Sequence, residues 1–301
     1  MTSRHAFVSN PINPPILVGV DGSAVSLRAA AWAATEAALH HCPLHILTSF
    51  GVAPGDGLQA VVAEGEKQWL RADGERMLAE AASIARHTVS DIEVPITTEL
   101  TFYLATPTLI DRSARLRMIV VGNNGRGAIR RAILGSVSTA LSRHAHCPVA
   151  VIHDDRPADP GWAERPVLVG VDGTANSALA VEIAFDEASR RKVGLIALHT
   201  WSDISGYDLP VSGWEGIREH EDTVLAEGLA GWSERYPDVA VERIVMCDSP
   251  VRSLLDHSRL AQMVVVGSRG RGGFASMVLG STSTALLHLA ECPVIVAREK
   301  A

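Results

Sequence analysis

Two segments of this chain occur twice, and that repetition constrains the fold more than any other feature of the sequence. Gly122, Gly125, Gly135 and Ser136 spell G-x2-G-x9-G-S, and Gly267, Gly270, Gly280 and Ser281 spell it again 145 residues later. Around these points MIVVGNNGRG matches MVVVGSRGRG at seven of ten positions, and LGSVSTAL matches LGSTSTAL at seven of eight. Upstream, ILVGVDG at 16–22 returns as VLVGVDG at 167–173, now offset by 151. With 301 residues, 47% apolar and 20% charged, the chain suits two copies of one globular domain of about 150 residues each.

Patterning gives the boundaries. Residues 1–15 hold three prolines and no periodicity, which predicts a flexible arm. The first domain spans 16–152 and the second 167–299. Between them HDDRPADPGWAERP, residues 153–166, has the prolines, glycine and charges of a linker. Within the first domain ILVGV, LHILTSF, IEVPITTEL, RMIVVG and PVAVIH read as strands, the first being a short apolar run that suits burial on both faces. Helices are expected at Ser26–His41, 58–87, Thr106–Arg115 with Pro107 in its first turn, and Ser136–His146. The series repeats after the linker: VLVGV, Ala178–Arg191, VGLIALHTW, Trp214–Tyr236, VAVERIVMC, Val251–Ser258, MVVVG, Ser281–Glu291 and PVIVAR. Such alternation implies an α/β fold: two tandem doubly wound domains, each a mainly parallel sheet with helices on both faces.

Composition excludes other classes. A formal charge of -7 argues against a dedicated nucleic-acid binder, which needs a clustered basic face. No run approaches the ~18 apolar residues of a membrane span and no apolar signal core opens the chain, so a soluble, cytoplasmic protein is expected. Four cysteines are too few for a disulfide framework. Cys147 and Cys292 precede proline at equivalent positions and read as small core residues. Neither His144 with His146 nor the adjacent His40 and His41 has metal-ligand spacing on a helix.

A lone G-x2-G is most often an ordinary strand-to-helix loop. Here the loop follows a strand, carries arginines, and leads to Gly-Ser at a helix start. The unpaired N–H groups there, with the helix dipole, form an anion site. Hydroxyls of Ser136 and Ser138, and of Ser281, Thr282 and Ser283, can add donors, and phosphate is the economical ligand. Asp21 and Asp172 end the first strand of each copy, where an Asp-Gly turn is the plain alternative. Ligands of open parallel sheets bind at such strand ends, so an acid there can meet a ribose or adenine edge or hold magnesium. Arg126 and Arg271 occupy equivalent positions, whereas Arg130 and Arg131 belong to the first copy alone and Arg269 to the second; each can fork onto phosphate. Trp32, Trp69, Trp214 and Trp232 read as packing residues, while Trp201 ends a strand near the expected base pocket.

These residues resemble the universal stress protein family in its tandem two-domain form, over nearly all of 16–299. The family's ATP-binding members carry G-x2-G-x9-G-[ST] plus the early strand-end aspartate, and both copies have both. The loops are also similar to those of bacterial, actinobacterial tandem members. The resemblance implies ATP, with magnesium near Asp21 and Asp172, as ligand: Asp21 and Asp172 at the nucleoside, Gly19 and Gly170 giving the base room, and Gly122–Gly127 and Gly267–Gly273 wrapping the phosphates. The first set includes Asn123, Asn124, Gly125 and Arg126, and the second Ser268, Arg269, Gly270, Arg271 and Gly272. Gly135, Ser136, Val137 and Ser138 complete one site; Gly280, Ser281, Thr282 and Ser283 complete the other. It further implies five-stranded domains that pair through their last strands within one chain, and a homodimer of such chains.

Function then reads as regulatory: an ATP-dependent switch in stress or growth control with an unidentified protein partner and one nucleotide per domain. A slow ATPase or adenylyl-transfer enzyme is the competing reading, although neither an HxGH-like nor an SGGxDS motif occurs and no residue positions a nucleophile. An interaction protein with degenerate pockets is the third. Asn123 and Asn124 against Ser268 and Arg269 predict unequal sites, the second holding phosphate more tightly.

Overall fold

A computed structural model describes residues 13–51, 64–125, 134–153, 160–201, 214–271 and 278–298. The apolar run after the arm forms β1 (Ile16–Gly19) with its first three residues buried. Alanine-rich α1 (Ala24–Leu39) follows, its small buried face formed by Ala29, Ala30, Ala33, Ala34 and Ala37. The first half continues as β2 (Leu44–Ser49), α2 (Glu64–Thr88), β3 (Ile96–Thr101), α3 (Ala105–Ser113), β4 (Met118–Gly122), α4 (Ser136–His144) and β5 (Val149–Ile152). A 3-10 helix at Pro160–Glu164 leads to the second half. That half comprises β6 (Val167–Gly170), α5 (Ala175–Arg191), β7 (Leu195–Trp201), α6 (Trp214–Leu229), α7 (Trp232–Arg235), β8 (Val241–Cys247), α8 (Pro250–Ser258), β9 (Met263–Gly267), α9 (Ser281–Leu289) and β10 (Val294–Ala297).

All ten strands join one sheet in the order β3-β2-β1-β4-β5-β10-β9-β6-β7-β8. Every pairing is parallel except the central one, where β5 and β10 run antiparallel with Val151 opposite Val294 and Val149 opposite Val296. Apolar layers cover both faces, as the uniformly apolar inner strands require. The outermost strands differ: β3 exposes Thr97 and Thr98, and β8 exposes Glu242 and Arg243. Polar side chains there protect the edges from pairing with another chain.

The two halves are fastened at the seam by reciprocal bonds. Arg298 donates to the Ala145 and Ser142 carbonyls at the end of α4, at 2.6 and 2.7 Å. His153 Nε2 donates to the Leu287 carbonyl of α9 at 3.0 Å. Beside the sheet, α1 and α5 meet over a buried cluster. His40 Nε2 lies 2.9 Å from Glu187 Oε1, and Arg191 contacts both Glu36 and Glu187. Glu36, His40 and Glu187 are thus close enough together to offer a metal three ligands, a grouping invisible to spacing because Glu187 comes from the other copy. The Arg191 guanidinium supplies the positive charge these carboxylates require, and burial lowers its pKa to about 10.

Some expectations give way. The helix expected over Trp214–Tyr236 is broken at Gly231, whose φ of +78° is left-handed and ends the helical path. The break turns Trp232 and Tyr236 onto Phe185, with ring centroids 6.0 and 5.8 Å away. Trp69 is 63% exposed and does not pack, because it precedes the buried stripe of Met77, Leu78, Ala81 and Ala82 on α2. Trp162, within the expected linker, is buried with Arg165 stacked 4.8 Å from its ring. The side chain of Trp214 and the whole of residues 1–12 lie outside the described residues. Cys147 and Cys292 are buried, and burial raises the Cys292 thiol to about 12.

Removing the cation from the α1–α5 cluster leaves two carboxylates buried without it. Arg191→Met should destabilise the chain by about 3 kcal/mol or more in urea denaturation, and a loss under about 0.5 kcal/mol would show that the cluster carries no such charge pairing.

Candidate functional site

In each half the chain runs from the central strand outward on one side and then crosses to the other. The order therefore reverses between β1 and β4, and again between β6 and β9. A crevice opens at the carboxyl ends of strands at such a point. Asp21 and Asp172 stand just past β1 and β6, and Gly122 and Gly267 end β4 and β9, so the repeated motifs face each other across it.

The strand-end aspartates do two things at once. One oxygen, Oδ1, makes the local turn: it accepts from the Ser23 N–H and hydroxyl at 3.0 and 2.6 Å, and in the other half from the Thr174 N–H and hydroxyl at 2.9 and 2.7 Å. Gly22 and Gly173 turn the chain with φ of +78° and +74°. Ser23 and Thr174 then cap α1 and α5 through their side chains. The second oxygen, Oδ2, faces the glycine loop. A Cβ on Gly125 would lie 2.6 Å from Asp21 Oδ2, and one on Gly270 would lie 2.6 Å from Asp172 Oδ2. Only a bare backbone fits there, and the Arg271 N–H that follows donates to Asp172 Oδ2 at 3.2 Å. The turn and the site are one structure.

The earlier glycine has a different task from the sharp turn its position suggests. Among the described residues positive φ occurs at neither Gly122 nor Gly267. Instead a Cβ on Gly122 would stand 2.8 Å from Val25, and one on Gly267 2.9 Å from the Asn176 carbonyl. These glycines let the first turns of α1 and α5 close against the neighbouring strand.

The helices after the loops begin without side-chain caps. Gly135 and Gly280 are the N-caps of α4 and α9, so their first N–H groups face the crevice with the positive end of the helix dipole. Ser136 and Ser281 are exposed at the first helical position and Thr282 is half-buried. Ser138 and Ser283 are turned inward. Ser138 donates to carbonyls of Gly135 and Asn123 at 3.0 and 3.3 Å, and Ser283 to the Gly267 carbonyl at 2.7 Å. Their hydroxyl protons tie helix to loop and are spent there. Gly135 N–H donates to Asn123 O at 2.7 Å and Gly280 N–H to Ser268 O at 2.8 Å, which ties each helix start back to the end of the preceding strand.

Each crevice is a cavity of ligand size, about 610 Å³ in the second half and about 410 Å³ in the first. The first is lined by Gly19, Asp21, Gly122, Asn124, Gly125, Gly135, Ser136, Val137 and Ser138 among the expected residues. The second is lined by Gly170, Asp172, Gly267, Arg269, Gly270, Arg271, Gly280, Ser281, Thr282 and Ser283. Asn123 and Ser268 are buried at 7% and 5% exposure and are absent from both linings, because the next residue along the loop turns toward the ligand space. Of the two loop differences expected from the sequence, the one that lines the cavities is Asn124 against Arg269. Arg126, Gly127, Gly272 and Gly273, with Arg130 and Arg131, lie outside the described residues.

Trp201 lines the second cavity as its strand-end place suggested. Residues that sequence reasoning missed come from the elements flanking the strands: Leu47, Ser49 and Leu109 in the first half, and Leu198, Thr200, Glu221 and Leu254 in the second. Alternation along β2 and β7 signals the strand residues. Nothing in the sequence marks Glu221, whose helix joins the site only through tertiary packing.

The family model of the universal stress protein family matches residues 13–153 and again 164–298. The chain belongs to that family. Universal stress protein Rv2005c of Mycobacterium tuberculosis is 46% identical over 285 residues, covering 94% of this chain and 97% of that protein. Universal stress protein Rv2623 of the same species is 44% identical, covering 94% and 96%. Among solved structures, a universal stress protein from Archaeoglobus fulgidus superposes with a TM-score of 0.68 at 20% identity, covering 97% of this chain and 99% of that one. The likeness of that structure is one of fold. Among the described residues, no helix of this universal stress protein is long and apolar enough to cross a membrane.

Because Ser283 ties α9 to its loop, Ser283→Ala should cost about 1 kcal/mol of stability. Urea unfolding checks this, and an unchanged midpoint would show that the bond holds nothing in place.

Proposed function

We propose that each half binds one adenine nucleotide, ATP accompanied by magnesium, and that occupancy of the two sites regulates the protein's engagement of a partner in the cytoplasm during stress. The observation that carries this reading is the convergence, twice in one chain, of three elements on one cavity. A carboxylate oxygen stands at the strand end, a side-chain-free backbone lies against it, and a helix N-terminus is left uncapped. Phosphates fit the last two, which offer N–H donors at close approach and a favourable dipole. The remaining carboxylate oxygen suits a ribose hydroxyl or a phosphate-bound cation, and the apolar strand ends and Trp201 suit a base.

The fit lies in the protein's own residues. Asp21 and Asp172 orient the glycine loops, Gly125 and Gly270 let backbone reach the ligand, and Ser136 with Ser281 and Thr282 add hydroxyls at the helix starts. Among the described residues none on the cavity walls is placed as a nucleophile with an adjacent base, which favours binding, with signalling by occupancy, as the activity of these sites.

Gly125→Val and Gly270→Val should each remove one nucleotide per chain in calorimetric titration with magnesium ATP, and the double variant should bind none. Since the added Cβ meets a carboxylate, the expected loss at each altered site is a hundredfold or more in affinity, about 2.7 kcal/mol or greater. Two undiminished sites in the double variant would place nucleotide elsewhere or nowhere.

A further inference from the structure

The two cavities differ most sharply behind the wall of the second. His199 of β7 is fully buried, with Nδ1 2.6 Å from the Val171 carbonyl oxygen and Nε2 2.5 Å from Oε2 of Glu221 on α6. A carbonyl oxygen can only accept, so Nδ1 carries a hydrogen. Nε2 then faces a carboxylate, and an imidazole with its single hydrogen on Nδ1 would oppose one lone pair to another. A further proton must lie between Nε2 and Oε2. Glu221 also lines the cavity, and its Oε2 is 3.5 Å from Nη1 of Arg271, whose backbone N–H donates to Asp172.

The charged groups facing this pair come from several elements. Among the described residues they are Arg271 and, through its backbone, Asp172 from the crevice, and His220 from α6 itself; β8 places apolar Val245 opposite His199. Burial opposes ionisation of Glu221, but the His199 hydrogen bond and the positive charges of His199, Arg271 and His220 hold its carboxyl below the usual range. With its proton the His199–Glu221 pair is neutral and leaves the Arg271 charge intact at the phosphate end of the cavity. Without it the pair is negative and cancels that charge.

The first half has neither partner. Thr48 takes the place of His199 and donates its hydroxyl to the Val20 carbonyl at 2.8 Å. Matching Leu-Ala-Glu at 78–80 with 225–227 sets Gly74 opposite Glu221. A Cβ on Gly74 would already meet Phe50 and Leu100 at 2.7 Å, so aromatic and aliphatic packing fills the space where the second half holds a carboxylate.

We propose that Glu221 is a positioning residue of the second site, which steers Arg271 onto the phosphates of a bound nucleotide, and that its partnership with His199 makes anion binding proton-linked at this site alone. The role rests on the nucleotide reading of the second cavity. Below the pH at which the pair loses its proton, the second site presents one more positive charge than above it. Among the described residues the first site holds Thr48 and Gly74 where this pair stands, so it serves as an internal reference for titration of the nucleotide itself.

Calorimetry with magnesium ATP on full-length Gly125→Val and Gly270→Val chains isolates the second and first sites. Between about pH 6 and about pH 9, second-site affinity should fall about tenfold more than first-site affinity, the effect of one nearby unit charge. Adding Glu221→Gln or His199→Thr to the Gly125→Val chain should flatten that excess, since a neutral amide or a threonine removes the shared proton; circular dichroism confirms that each variant is folded. Equal pH dependence at the two sites, or an excess that survives both substitutions, overturns the inference while leaving nucleotide binding intact. If the Gly125→Val chain binds no ATP at either pH, the nucleotide reading of the second site falls, and the role of Glu221 with it.

Discussion

In each half, one stretch of backbone lies so close to an aspartate that a single methyl group would strike its carboxylate oxygen at 2.6 Å. The rest of the crevice is arranged around that contact. It needs an aspartate held rigid at the strand end, which the turn through Ser23 or Thr174 provides. It needs the neighbouring strand to end level with the first, which parallel pairing of β1 with β4 and of β6 with β9 provides. It also needs the following helix to aim its N-terminus inward, which the inward serine hydroxyls secure. Binding energy for an anion then comes from donors already in place, so little is spent on ordering them.

The second constraint is the antiparallel seam. Pairing β5 with β10 turns two five-stranded sheets into one and removes two edges that would otherwise be open. Arg298 and His153 each reach across to the helix that begins at the other half's glycine loop. A change at one helix start therefore has a continuous physical route to the other half through α4, the central strands and α9. The buried Glu36, His40, Glu187 and Arg191 cluster adds a second joint between α1 and α5, the helices that open beside the two aspartates.

Much of this was legible in the chain itself. Short apolar runs ending in glycine can be little other than buried parallel strands, and the fixed spacing of G-x2-G-x9-G-S placed both crevices. Three things were hidden because they depend on contacts between distant segments. The task of Gly122 and Gly267 is to admit α1 and α5, which local sequence cannot show. Asn123 and Ser268 differ between the copies yet point into the interior, since a period-two alternation ends with the strand and gives no facing for loop residues. Glu221 and His199 lie 22 residues apart with no motif between them, and only the packing of α6 on β7 makes them a pair. The break at Gly231 has no local mark, because Gly216 and Gly228 of the same pattern are tolerated inside α6.

The central claim is that one chain holds two nucleotide sites built on the same contact. Native mass spectrometry of the intact chain equilibrated with magnesium ATP tests it most directly. The account predicts that the fully loaded species carries two nucleotides per chain, filled in unequal order because Arg269 lines the second cavity where Asn124 lines the first. A chain that stays free of nucleotide, or that saturates with one, would contradict it.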